Sequence, residues 1–184
     1  MPEREKVAAT PWQVPVALDD VPEEGRHFDL AADADTRAAV ARMAGLRDLP
    51  RLEASFDLTR SGRTGLHVAG RVSATAGQIC VVTLEPLANE VTEDIDLLFE
   101  PPPATLPAKA DGAAVVAEGN LDGDTEPLVD GKVDLGALAT EFLILGLDPY
   151  PRKPGAIFRP PADTGPDEGP FAALGALKKG RDGG

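Results

Sequence analysis

Between Arg51 and Glu100 the hydrophobic period of the chain is 2, and no other stretch restricts the fold as much. Leu52, Ala54, Phe56 and Leu58 alternate with Glu53, Ser55, Asp57 and Thr59, the pattern of a strand with one dry and one wet face. Ser61-Gly62 supplies a turn, after which Leu66, Val68, Gly70, Val72 and Ala74 alternate with His67, Arg71, Ser73 and Thr75, so the two runs predict a hairpin. A second turn at Ala76-Gly77 leads into Ile79-Cys80-Val81-Val82-Thr83-Leu84, an apolar and β-branched run expected to be a central strand buried on both faces and ended by Pro86. The last strand puts Val91, Ile95, Leu97 and Phe99 on one side and Thr92, Asp94, Asp96 and Glu100 on the other, until Pro101-Pro102-Pro103 stops it. Four strands joined by short turns predict an antiparallel meander.

The dry face of such a sheet needs a cover. Asp33 or Asp35 can cap a helix by accepting a bond from a first-turn N–H, and the alanine-rich run from Thr36 sets Val40, Met43 and Leu46 at helical spacing. A short amphipathic helix ending near Gly45 is predicted. Asp134 can cap a second helix, at about 134–147, with Leu135, Leu138, Ala139, Phe142, Leu143, Leu145 and Leu147 apolar and Ala137, Thr140, Glu141 and Asp148 on a narrower polar strip. Pro149 and Pro151 break it. Gln13 to Leu18 alternates around Pro15, which suits an edge strand. The fold class expected is α+β: an antiparallel meander packed by one long apolar helix plus a short N-terminal helix.

The rest of the chain resists regular structure. Between Ala110 and Asp130 the residues Asp111, Glu118, Asp122, Asp124, Glu126 and Asp130 occur without a Lys or Arg, so a disordered acidic loop is expected at about 101–130, inside a single domain of residues 1–150. Residues 151–184 read as a flexible tail rich in Pro and Gly, with a short anchor at 170–179: Phe171, Leu174 and Leu177 recur every third residue, and Lys178 and Lys179 follow.

Charge and cysteine usage narrow the function. Eighteen Lys and Arg against 31 Asp and Glu leave a net charge of −13, which repels polyanions and attracts basic partners. The single cysteine, Cys80, cannot form an intramolecular disulfide, and with only His27 and His67 beside it in the composition no metal cage or other cofactor is expected. The N-terminal residues lack the layout of a secretory signal and no apolar run is long enough to span a bilayer, so a cytoplasmic protein without a membrane partner is expected. No nucleophile with an adjacent base, and no carboxylate pair, stands at diagnostic spacing, so the chain is expected not to be an enzyme. Cys80 among valines reads as a small buried hydrophobe, and His67 and Glu141 as solvent-facing.

Four stretches together resemble the YceD family of large ribosomal RNA subunit accumulation proteins. They are Gly25 to Leu46, with its alanine-rich helix after an extended lead-in; Cys80 to Leu87, where many members carry a Cys-x-x-Cys pair and this chain has Thr83 in the second position; Val133 to Pro149, with an Asp-Leu start, Glu141 and large aliphatics; and Pro170-Phe171-Ala172-Ala173-Leu174 followed by Leu177-Lys178-Lys179. The resemblance implies a role in producing or stabilising 23S ribosomal RNA and brings no catalytic residues. One thiolate cannot replace the family's pair in holding zinc or cycling as a disulfide. The function expected is non-enzymatic ribosome biogenesis by binding a basic ribosomal protein or large-subunit assembly factor, with ribosomal RNA touched indirectly. Candidate partner-binding residues are Asp122, Asp124, Glu126, Phe171, Leu174, Leu177, Lys178 and Lys179. Direct RNA binding through Arg60, Arg63, Arg71 and the Lys178-Lys179 tip is the alternative, and an uncharacterised enzyme a more distant one. Convergence of the three arginines on one sheet face would favour RNA.

Overall fold

A computed structural model, which describes residues 10–101 and 125–158, shows an α+β fold. The elements in chain order are β1 (Pro15–Ala17), a single 3-10 turn (Leu18–Asp20), β2 (Arg26–Ala31), α1 (Ala34–Met43), β3 (Asp48–Ser61), β4 (Gly65–Ile79), β5 (Pro86–Glu100), β6 (Thr125–Pro127), β7 (Lys132–Asp134) and α2 (Leu135–Leu145). Five strands form one sheet in the order β2-β3-β4-β5-β6, antiparallel except where β6 runs parallel to β5, and β1 pairs with β7 in a separate two-stranded ribbon.

The alternation seen in the sequence sets the two faces. Leu52, Phe56, Leu58, Leu66, Val68, Val72, Ala74, Val91 and Ile95 point to one side, where they meet Val40 and Ala41 of α1 and Leu135, Leu138, Ala139 and Leu143 of α2. Each large side chain taken fully out of water there contributes about 1.5–3 kcal/mol, so this face dominates folding. Phe56 and Gly70 stand opposite each other in the ladder. A Cβ on Gly70 would lie 2.6 Å from Phe56 Cδ1 and 2.5 Å from the Ser55 carbonyl oxygen, so the absent side chain gives the ring its place.

Carboxylates cap both helices. Asp33 accepts from the Thr36 N–H at 2.8 Å. Asp134 Oδ1 accepts from Gly136 and Ala137 N–H, each at 3.1 Å, and from Val14 N–H at 2.8 Å, which fastens the N-terminal segment to the start of α2. Two free first-turn donors of α2 and the N–H of Val14, just before β1, are thereby satisfied by one oxygen.

Several expectations are corrected. The run Ile79 to Leu84 is not a central strand: β4 continues through Ala76 and Gly77 to Ile79, and Cys80 to Thr83 turn the chain into β5. Gly77 stays in the ladder because its missing side chain admits the Asp48 carboxylate. The turn is closed by Cys80 N–H to the Glu85 carbonyl and Leu84 N–H to the Cys80 carbonyl, both 2.9 Å, and these local bonds prevail over the β-propensity of the valines. The strand β2, unanticipated, takes the edge beside β3.

Helix α2 has 11 residues, shorter than expected, and its last turn exposes Ile144 and Leu145. Thr140, placed on the polar strip, is buried and donates its hydroxyl to the Gly136 carbonyl at 2.8 Å, which removes the cost of burying it. Phe142 is only partly buried, and Met43 of α1 is exposed. Of the expected acidic loop, Thr125 to Asp130 is structured, because β6 pairs with Leu98 to Glu100 and Leu128 is buried; residues 102–124 lie outside the described residues.

Candidate interaction surfaces

Both helices cover the inner face, and the outer face of the sheet presents the polar half of the alternation. Asp29 of β2, Glu53 and Asp57 of β3, and Glu90, Asp94, Asp96 and Glu100 of β5 stand there with Arg51, Arg71, His27 and His67. Arg71 Nε binds Asp94 Oδ1 at 2.6 Å, and Arg51 reaches Glu90 at 2.7 Å and Glu53 at 3.2 Å while donating to Ser73 Oγ at 2.8 Å. Arg71 holds the Asp94 carboxyl below its ordinary range; Thr75 Oγ1 and then Arg51 do the same for Glu90. His27 sits between Asp57 at 2.7 Å and Asp29 at 3.2 Å, which favour the imidazolium and raise its pKa, the Asp57 bond most. His67 meets Asp96 at 2.6 Å.

The three arginines weighed for RNA do not converge. Arg60 points to the inner side, where it donates to the Val21 carbonyl at 2.6 Å and the Leu18 carbonyl at 3.0 Å. Arg63 is in the turn between β3 and β4, and Arg71 lies mid-sheet against Asp94. Arg60 therefore serves as a brace for the chain before β2, and Arg71 is held by the Asp94 carboxylate.

Cys80 occupies the turn between β4 and β5. Its buried sulfur accepts the Lys153 N–H at 3.3 Å and the Thr83 N–H at 3.4 Å, and these donors hold the thiol down at about 6. Val81 N–H to the Pro151 carbonyl at 2.9 Å, and Lys153 Nζ to Glu85 at 3.0 Å, complete the attachment of this turn to the segment after α2. Among the described residues no three His, Cys, Asp or Glu side chains converge as a metal ion would require. A shallow apolar trough of about 310 Å³ lies elsewhere, between Met43 of α1 and Ala137, Ile144 and Leu145 of α2.

Of the candidate partner-binding residues, Glu126 is exposed in β6 beside Phe99. Asp122, Asp124, Phe171, Leu174, Leu177, Lys178 and Lys179 lie outside the described residues. The outer-face carboxylates were not singled out from the sequence; their signal was the wet half of each alternating strand.

Residues 68–178 match the family model of the large ribosomal RNA subunit accumulation protein YceD, more than half of the chain. The chain belongs to the YceD family. The YceD match takes in β4 from Val68 on, β5 to β7, α2 and the stretch as far as Lys178, but not Gly25 to Leu46, the first of the four stretches that carry the resemblance. Where that resemblance places a second cysteine, Thr83 gives its backbone N–H to the Cys80 sulfur, so hydrogen bonds hold the YceD turn in this chain. No curated protein and no solved structure matches the chain significantly. Among the described residues no helix is long and apolar enough to cross a membrane.

Proposed function

We propose that this YceD-family chain supports accumulation or processing of large-subunit (23S) ribosomal RNA in the cytoplasm, as a non-enzymatic factor that binds a basic ribosomal protein or assembly factor. The observation that carries this is the family match over residues 68–178. The sign of the charge argues for a protein as the immediate partner: a chain at −13 gains nothing from the counterion release that drives RNA binding, whereas a basic protein is drawn to it. The separation of Arg60, Arg63 and Arg71 argues the same way. Depleting the protein from its cell should lower the ratio of 23S to 16S RNA, and re-expression should restore it. An unchanged ratio on depletion would refute the role.

A further inference from the structure

We propose that the open outer face of the five-stranded sheet is the docking surface for an extended, arginine- and lysine-rich segment of the basic partner, an inference that rests on the function proposed above and adds where and how that partner is held.

Packing leaves the face available. Both helices lie on the inner side, and among the described residues no element crosses the outer one. Asp29, Glu53, Asp57, Glu90, Asp94, Asp96 and Glu100 share it with Arg51, Arg71, His27 and His67, so acids outnumber bases on this face. The two arginines are already engaged by Glu53, Glu90 and Asp94, and the histidines beside Asp29, Asp57 and Asp96 carry charge only when protonated. A large negative excess is left facing water.

Shape points to an extended occupant. Ala31, Ser55, Ala69 and Ser73 keep the middle of the face low, and a trough of about 360 Å³ runs across β2, β3 and β4 between Asp29, Glu53 and Arg71. Positions two residues apart on one strand, such as those of Asp94 and Asp96, are about 6.6–6.8 Å apart along the backbone, the repeat at which an extended peptide presents alternate side chains. Cationic groups on one side of such a peptide fall in step with them, while its backbone rests on the small residues. A polyanion is repelled by the same field.

The test uses the full chain and a twelve-residue peptide of alternating arginine and serine, followed by backbone amide NMR. Resonances of residues 29–31, 53–55, 71–73 and 94–96 should shift on titration, and affinity should fall as salt is raised through about 0.15 M. Asp29→Asn, Glu53→Gln and Asp96→Asn together should weaken the peptide about tenfold, since three exposed charge contacts are removed. Glu23→Gln, Glu24→Gln and Glu141→Gln together change net charge equally on other surfaces and should weaken it less than about twofold. Equal loss in the two triple variants, or shifts confined to the Glu126 region or to α1 and α2, would overturn the proposal. In cells the outer-face variant should fail to restore the 23S to 16S ratio. A folded outer-face variant that restores it fully would sink the docking face and leave the function standing, whereas an unchanged ratio on depletion would sink the function while the NMR result still judged the face.

Discussion

Replacing Phe56 by Ala tests how the sheet holds its register. The side chain is fully buried at the centre of the inner face, with Phe28 on one neighbouring strand and Gly70 on the other. Truncation removes its transfer free energy and leaves a cavity, so the expected cost is about 3–5 kcal/mol, a large part of the ~5–15 kcal/mol typical of a whole domain. Gly70→Ala attacks the same contact from the other side: its Cβ would stand 2.6 Å from Phe56 Cδ1 and 2.5 Å from the Ser55 carbonyl oxygen, and such overpacking costs about 1–3 kcal/mol. In the double variant the ring contact disappears but the carbonyl contact stays. The double loss should therefore fall short of the sum of the single losses by about 1 kcal/mol, the coupling expected of groups in contact. Urea denaturation of the four proteins, with unchanged m-values, measures it. Additivity within ~0.3 kcal/mol, or a loss below ~1 kcal/mol for Phe56→Ala, would refute the assignment of the ring to the space over Gly70.

Asp134→Ala should cost about 1–2 kcal/mol in the same assay, because two helix N–H groups and the Val14 N–H lose their acceptor; a loss near zero would show that water replaces it. His27 should titrate above 6.5, its contribution to stability being complete below the unfolded value and lost as pH rises through the folded one; by NMR, Asp57→Asn should bring the midpoint back down, and an unmoved midpoint would refute the pairing. For Cys80, lowered from 9.0 to about 6, the sign is opposite: its contribution is present above 9.0 and lost as pH falls to about 6. The ultraviolet signal of the thiolate should therefore appear with a midpoint near 6, and a midpoint near 9.0 would show that the backbone N–H groups do not reach the sulfur.

What the sequence made legible was what local periodicity and capping chemistry decide. The inner face of β3 and β4, both helix caps and the pairing edge at Pro15 follow from residues read where they stand. What stayed hidden depends on bonding partners and on edge placement, which polar and apolar patterning does not show. Cys80 to Leu84 looked like a strand because its side chains are apolar, yet its own turn bonds, together with those to Lys153 and Pro151 some 70 residues on, decide its conformation. Thr140 looked polar and is buried because the helix's own carbonyl satisfies it. The strand β2 alternates too, but with Phe28 and Leu30 half-buried at an edge its contrast is weak. For the site the same division holds: the excess of carboxylates was visible in the composition, while their gathering on one face needed the register of β2, β3, β4 and β5.

That register ties the proposed docking face to the core. In a strand the inward set determines the outward set, and a slip of one residue would put Glu53, Asp57 and Asp94 inside and Phe56 and Ile95 outside. Burial of Phe56, Leu58, Val72 and Ile95 thus holds the carboxylates at strand spacing, although their mutual repulsion favours a looser arrangement. Cross-strand pairs of opposite sign, Arg71 with Asp94, Arg51 with Glu90, His27 with Asp57 and His67 with Asp96, offset part of that repulsion, and the acids still outnumber the bases. Neutralising Asp29, Glu53 and Asp96 removes only exposed ion pairs, which contribute little to folding, so the fold should be nearly unchanged while the basic segment is lost. A purely structural role for these residues requires both to fall together.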